Sequence, residues 1–359
     1  MSLPDPINPT WLTRQLRVYN HLPAGHVVDL EIGKTRETTA AVLTPLTVSY
    51  SPGVSLPTRL IVKDYKAGWH WSGYSEEFFR RELAPQMQMA PLVPVFVSYT
   101  DMVAQVSYAI MADFRETHAS APEPLPENID YARVYEPVID VMADMHAHWW
   151  DHRRLDEEDM FKLHGGPLRM SSALNLDQID QQVLQLRKEI ANQRDWLMED
   201  LNERQIQIFD TVLEHWPRIF GTRVSQKKNI TLLHGDFHLW NLAFPIKSTR
   251  EPVYLLDWET FKRGLGAYDL AYLIVFTESR EFKSSEMRMM RRYHSRLISQ
   301  GVSSYSWDEF LADYRISVMT CLFPALLWHL LFRDSHTNIE AAIEFYDRWN
   351  CDILTYDED

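Results

Sequence analysis

Two segments carry residues whose types and spacing could do chemistry: HGDFHLWNLAF, His234 to Phe244, and YLLDWE, Tyr254 to Glu259. The first sets a carboxylate, Asp236, five positions before an amide, Asn241, beside a second imidazole, His238; the second ends an apolar run in Asp257. Hard oxygen donors of this kind suit Mg²⁺, which keeps several waters and needs few protein ligands. One acid to orient a hydroxyl, with an amide and a second acid to hold a cation against phosphates, is the minimum for phosphoryl transfer from a nucleotide. A hairpin-like pairing of the strand before Asp236 with YLLD is the arrangement expected to gather the three.

Other chemistries compete for the same residues. Asp236-Phe-His238 matches the Asp-x-His that opens a two-metal phosphoesterase site, but such a site needs later Gly-Asp and Gly-Asn-His ligands. The chain has a single Gly-Asp and no Gly-Asn. HAHWWDH offers His146, His148 and His152, yet i and i+2 do not share a helical face, so packed or solvated histidines are expected there. IGKT, Ile32 to Thr35, resembles the end of a phosphate-binding Walker loop, but Val28 stands where its first glycine belongs. Strand-like residues also lie on both sides, where that loop needs a following helix.

The elements that must position these groups fall into two halves. VVDLEIGK, TTAAVLTPLTVSY and TRLIVKDY read as strands. SGYSEEFFRRELAPQM reads as a helix closed by Pro85, and LVPVFVSYT and QVSYAIMADF as two more strands. The expectation is a five-stranded, largely antiparallel sheet with one helix over residues 1–112. Residues 113–359 form a mainly helical half in which two brief strands carry the acids; the fold class is α+β. HASAPEPLPEN reads as a loop, and Asn175 to Phe220 as amphipathic helix. KAGWHWSGY is left open between a loop that closes over a ligand and one that packs on the next helix.

Composition narrows the partners. With 359 residues, 45% of them hydrophobic, the chain is long enough for two lobes. A net charge of −14 opposes nucleic-acid binding, which needs a basic surface. It agrees with a cationic small substrate, and equally with mere solubility. Two distant cysteines, Cys321 and Cys351, point to a reducing compartment. MSLPDPINPTW does not resemble a secretory signal, so a cytoplasmic protein is expected. No continuous apolar run reaches membrane-span length, and VMTCLFPALLWHLLF reads as a buried helix, so no membrane partner is expected.

HGDFHLWNLAF, then LLDWE, then GLGAYDLAYL resemble the signature of the aminoglycoside phosphotransferase and choline-kinase-like superfamily, small-molecule relatives of the eukaryotic protein kinases. The resemblance runs from about Val27 to Leu273. It implies a bilobal protein-kinase-like fold and transfer of a γ-phosphate from ATP, with GTP not excluded, to a hydroxyl of a small molecule in the presence of Mg²⁺. Asp236 would be the catalytic base and Asn241 and Asp257 the metal ligands. His234 would brace the loop, and Asp269 would cap and anchor the following helix. TRLIVKDY resembles the kinase strand whose lysine meets the α- and β-phosphates, so Lys63 takes that place.

Its partner is expected at Glu82, one turn from Phe78 and Phe79, with Glu76 the weaker contender and Glu77 exposed. YAIMADF resembles the hinge, where the backbone of Met111 to Asp113 would hold adenine. Gly33 and the hydroxyls of Thr35 and Thr38 would cover the phosphates. The acceptor site is implied in the helices of Asp151–Phe220 and Ser284–Asp359, where Trp307, Tyr314, Trp328, Glu340, Glu344 and Asp347 could suit an aromatic or cationic acceptor. Two departures stand out: EIGKTRETT has one glycine, and Asp257-Trp-Glu259 replaces Asp-Phe-Gly, with Glu259 expected to pair with a basic neighbour. A catalytically silent nucleotide-binding protein and a metallo-phosphoesterase remain as alternative readings.

Overall fold

The structure is a computed structural model and describes residues 3, 6–87, 92–120, 131–157, 161, 176–246, 252–277, 283–332, 336–349 and 351. Contacts divide the chain into two compact units, 1–122 with 242–259, and 123–241 with 260–359. The expected single cut after residue 112 is thereby replaced: a segment holding Asp257 returns to the first unit.

In the first unit the strands are β1 (Val27–Ile32), β2 (Arg36–Glu37), β3 (Ala41–Tyr50), β4 (Arg59–Tyr65), β5 (Val95–Asp101), β6 (Val106–Ala112) and β7 (His118–Ser120). The main sheet runs β1-β3-β4-β6-β5, all antiparallel, with the short β2 on β3. Period-two alternation along the central β4 sends Leu60 and Val62 into one core with Leu12 and Leu16. Ile61 goes to a second core with Ala109 and Met111, and Lys63, two residues on, shares its face.

The first core exists because of a helix that strand-like reading passed over, α1 (Pro9–Val18). The Asn8 side chain accepts from the Trp11 amide at 3.0 Å, and Pro9 occupies the first turn, where its missing N–H costs nothing. The second helix, α2 (His70–Glu82), starts earlier than SGYSEE suggests and takes in His70 and Trp71. The second half of KAGWHWSGY is the first turns of α2, and Trp69, just before the helix, stacks with Trp71 at 5.7 Å. Gly73 lies against Ser107, where any side chain would collide. The loop expected over HASAPEPLPEN opens as β7, and the rest of it, 121–128, lies outside the described residues.

The pairing of the brief later strands differs from expectation. Thr231–Leu233 pairs with Lys262–Gly264 in the second unit, and Leu242–Pro245 pairs with Tyr254–Leu255 and β7 in the first. YLLD is therefore not the partner of the strand before Asp236. Three-residue strands carry too little pattern to name their partners.

The second unit is helical: α3 (Tyr131–His148), α4 (Leu176–Asn192), α5 (Arg194–Asp200), α6 (Glu203–Ser225), α7 (Ala267–Val275), α8 (Glu286–Ser299), α9 (Trp307–Phe332) and α10 (His336–Arg348). The helix expected over Asn175–Phe220 breaks before α6 because Asn202 and Gln205 form a reciprocal capping box. α3 and α8 join through arginines one turn apart: Arg292 bonds Asp140 at 2.8 and 2.6 Å and Arg296 bonds Asp144 at 2.6 and 2.8 Å. In α9, Trp307–Leu330 is long and apolar enough to cross a membrane by composition, but 78% of that window is buried within the fold.

Candidate active site

In the first unit the sheet and α2 bring a lysine and two carboxylates together. Lys63 Nζ lies 2.9 Å from Glu76 Oε2 and 2.6 Å from Asp257 Oδ1. Glu76, not Glu82, is the partner. Glu82 sits at the C-terminal end of α2 and bonds Arg81 at 3.0 Å. The buried face of α2 is Ser72, Gly73, Ser75, Glu76 and Phe79; Phe78 is not on it, so counting from both phenylalanines turned the helix the wrong way. Glu77, expected to be exposed, is half-buried and bonds Thr100.

Glu76 has two further partners that sequence reading missed, the Tyr65 hydroxyl and Arg80 Nη2 at 2.7 Å. Both had a signal: Tyr65 is two residues from Lys63 on the same strand face, and Arg80 is one helical turn from Glu76. Burial alone would raise the Glu76 pKa, but Lys63 and Arg80, with the bonds from Tyr65 and Arg80, hold it well below the usual carboxylate range. Burial likewise works to lower the Lys63 pKa, and Asp257 and Glu76 overcome it, so the ammonium stays charged. Glu259 adds to that field rather than leaving it, and its carbonyl accepts from the Ser75 hydroxyl at 2.7 Å. Trp258 stacks on Phe79 at 4.1 Å, fixing the Asp257 segment to α2.

Asp257 itself has φ +54°, a left-handed conformation that most side chains avoid. Its Oδ1 faces Lys63, and its side chain is 49% exposed.

The remaining first-unit candidates are placed as follows. Met111 is buried opposite Ile61 on β4. The Asp113 amide already donates to the Arg59 carbonyl at 3.1 Å, and its carboxylate is held by Arg115. Gly33 and Thr35 are exposed in the turn after β1, whereas the Thr38 hydroxyl is tied to Ala41. Lys34 is followed by a strand and not a helix, which removes the Walker context.

In the second unit, residues 234–241 form a tight loop after Thr231–Leu233. Gly235 has φ +86°, and a Cβ there would lie 2.2 Å from the Thr260 carbonyl oxygen, so only glycine fits. Asp269, fully buried in α7, accepts from the amides of His234 at 2.7 Å and Gly235 at 3.0 Å. It thus anchors the loop before it, where the expectation had it capping its own helix. His146 Nε2 lies 3.2 Å from the same carboxylate and His146 Nδ1 2.7 Å from the Tyr293 hydroxyl. His146 is therefore part of this anchor, a role its HAHWWDH context did not reveal.

Asp236 and Asn241 are brought together. Asn241 Nδ2 donates to the Asp236 carbonyl at 2.9 Å and to its Oδ2 at 3.0 Å. His238 Nε2 lies 3.3 Å from Oδ2, and the Tyr272 hydroxyl donates to Oδ1 at 2.6 Å. Burial pushes the Asp236 carboxyl up, but His238, Tyr272 and His234 outweigh it and hold it well below the usual range. Tyr272 was not anticipated; its one signal was a position three residues after Asp269 on an apolar helix.

The donors fit Mg²⁺ better than a softer metal. In the second unit Asn241, with Nδ2 turned to Asp236, keeps its Oδ1; in the first unit Asp257, with Oδ1 on Lys63, keeps its Oδ2. Each is a hard oxygen of the kind Mg²⁺ takes. Among the described residues no group of three or more His, Cys, Asp and Glu side chains gathers as a metal cluster. Of the suggested acceptor residues, Tyr314 is buried against Glu286, Glu344 pairs with Arg348 and Asp347 with Arg204. Trp328 bonds Tyr272. Residues 162–175 of the expected acceptor region lie outside the described residues.

A sequence model of the phosphotransferase enzyme family, APH, matches residues 50–301. No curated protein matches the chain. Among solved structures, a choline kinase from Cryptosporidium parvum is similar at 12% identity and TM-score 0.57, over 91% of this chain and 90% of that one. The GDP complex of aminoglycoside 2'-phosphotransferase-IIIa is similar at 11% identity and TM-score 0.51, over 95% and 98%. A macrolide 2'-phosphotransferase from Brachybacterium faecium follows at 14% identity and TM-score 0.50, over 92% and 93%. The fold is the bilobal, protein-kinase-like one.

Proposed function

The chain belongs to the phosphotransferase enzyme family, and on that premise we propose that it moves the γ-phosphate of ATP onto a hydroxyl of a small molecule, with Mg²⁺. The observation that carries this reading is Lys63, held at 2.9 Å by buried Glu76 and at 2.6 Å by Asp257. A lysine held between a helix carboxylate and the acid that ends the later strand is the arrangement a nucleotide kinase sets against its phosphates. It supports this reading over a phosphoesterase, whose further metal ligands the sequence lacks. Asp236 orients the acceptor hydroxyl and takes its proton. Asn241 and Asp257 would hold the cation through oxygen, and the bound cation would neutralise charge on the transferring phosphoryl group. Lys63 steadies the α- and β-phosphates, while backbone near Met111 to Asp113 meets the base, and Gly33 and Thr35 cover the phosphates. Most of the rate enhancement then comes from position and charge rather than a covalent intermediate.

The acceptor is a small alcohol, of cationic or aromatic character on the strength of the acidic composition; nucleic acid and membrane are not partners in this reading. The reaction is placed in the cytoplasm, in keeping with two thiols that stay free and buried. A silent nucleotide-binding role is the reading to separate.

An acceptor screen that reads ADP formation, with ATP and GTP compared as donors and Asp236→Asn as the blank, tests the proposal. ADP release should depend on both Mg²⁺ and an added acceptor. Asp236→Asn should bind ATP normally yet lose about 10²–10⁴ in turnover. A variant that keeps more than about a tenth of the wild-type rate sits outside any general-base effect and ends the assignment. ATP binding without acceptor-dependent ADP release would favour the silent protein instead.

A further inference from the structure

The Asp236 carboxylate has nearly all of its lone pairs in use. An ionised carboxylate offers about four acceptor directions, two on each oxygen. Oδ2 faces Asn241 Nδ2 at 3.0 Å and His238 Nε2 at 3.3 Å, and Oδ1 accepts from the Tyr272 hydroxyl at 2.6 Å. The protons on these donors can be placed. The Trp240 amide donates to His238 Nδ1 at 3.1 Å, so the ring proton sits on Nε2, toward Asp236. The Trp328 indole, a donor only, bonds the Tyr272 oxygen, so the proton of that hydroxyl is the one directed to Asp236. Among the described residues these three donors are the ones that reach the carboxylate, leaving one acceptor direction, on Oδ1.

We propose that Tyr272, steadied by Trp328, is a positioning residue for phosphoryl transfer that confines the acceptor hydroxyl to the single open lone pair on Asp236 Oδ1. The inference rests on the reading of Asp236 given above. In the step, the acceptor oxygen bonds the γ-phosphorus and the bond from that phosphorus to the bridging oxygen of ADP breaks. The acceptor's proton passes to Oδ1, and Tyr272 keeps its own. Without Tyr272 the carboxylate is held through one oxygen only and can rotate, carrying the open lone pair off the line of attack; small misplacements of this kind cost rate rather than binding.

The tyrosine is well placed to resist such rotation. It is 3% exposed and packs edge-on against Phe276 at 4.6 Å. It also stands on α7 three residues after Asp269, whose carboxylate holds the amides of His234 and Gly235. One helix therefore fixes the loop backbone through Asp269 and the loop carboxylate through Tyr272, side chains that share a helical face.

The test compares wild type, Asp236→Asn, Tyr272→Phe and Trp328→Phe in ADP formation with the best acceptor from the screen. Loss of one hydrogen bond to a charged group corresponds to about a ten- to hundredfold fall, and Tyr272→Phe should lose that much kcat while KM for ATP stays within about twofold. Trp328→Phe leaves all three donors on Asp236 but frees the hydroxyl to turn, so it should lose about threefold in kcat with KM for ATP unchanged. A purely structural tyrosine would instead move KM and thermal stability along with kcat, and that pattern overturns the inference. If Tyr272→Phe does not fold, Trp328→Phe decides alone, and a wild-type kcat overturns. Should Asp236→Asn keep the wild-type rate, the reading of Asp236 fails and this inference with it. Should Asp236→Asn be inactive while both aromatic variants run at the wild-type kcat, only the inference fails.

Discussion

Two regions hold a buried acid in opposite ways. In the first unit Glu76 is matched charge for charge, by Lys63 and Arg80, with side-chain exposures of 2%, 7% and 14%. In the second unit Asp236 is met by an amide, an imidazole and a phenol, with no lysine or arginine among the described partners. The first arrangement balances charge out of water, and it suffers most when one partner is deleted, because the other is left buried and unpaired. The second fixes direction, and it suffers most when geometry is loosened while charge is kept. Loss of stability should therefore follow substitutions at Lys63 and Glu76, and loss of turnover alone should follow Tyr272 and Trp328.

The largest stability effect that would sharpen this contrast is Lys63→Met. Removing one member of a buried ion pair costs about 3–5 kcal/mol, and Arg80 and Tyr65 remain on Glu76, so the lower end is expected in urea unfolding, together with loss of activity. A destabilisation under about 1 kcal/mol, the range of surface pairs, would mean that the Lys63 cluster is not held by charge and that the contrast is false.

A smaller effect separates the two glutamates on α2. Glu76→Gln removes charged hydrogen bonds from Lys63, Arg80 and Tyr65 and should cost about 2 kcal/mol. Glu82→Gln loosens a contact with the half-exposed Arg81 at the surface end of α2 and should stay within about 0.5 kcal/mol. Equal unfolding midpoints for the two variants would return Glu82 to consideration.

What sequence could say about these regions depended on how local the information was. Lys63 was legible because a lysine in an apolar alternating strand must find a carboxylate. Asp236 and Asn241 were legible because five residues of one loop hold both. The partner of Lys63 was misread because Phe78 and Phe79 are adjacent, and only one of two neighbours can face a core, so the helix phase stayed ambiguous by about a hundred degrees. α1 was passed over although Asn8 and Pro9 mark its start and Leu12 and Leu16 recur one turn apart on its buried face. The division of the chain was hidden for a different reason: Leu242–Pro245 and Tyr254–Leu255 are too short to reveal that they pair with each other, or that the first of them also pairs with β7. Tyr272 lies 36 residues from Asp236, and nothing local to either marks the other.

The smallest effect is the pH dependence of the Glu76 difference, and it bears most directly on whether charge is the principle in the first unit. Burial raises the Glu76 pKa and the surrounding cations lower it further than burial raises it, so the folded value lies below the unfolded one. Between those two values the unfolded chain binds the extra proton, and stability then rises with pH. The contribution is thus complete above the ordinary glutamate range, about pH 4.3, and drains away as pH falls toward the folded value. Glu76→Gln lacks this one titration but shares every other, Asp269 included, so those slopes cancel when the two proteins are compared. The stability gap between wild type and Glu76→Gln should be constant from about pH 7 to 5 and narrow steadily below that. A gap that stays the same down to about pH 3.5 would show that the glutamine loses shape and hydrogen bonding rather than charge, and the first unit would then hold its acid in the same manner as the second.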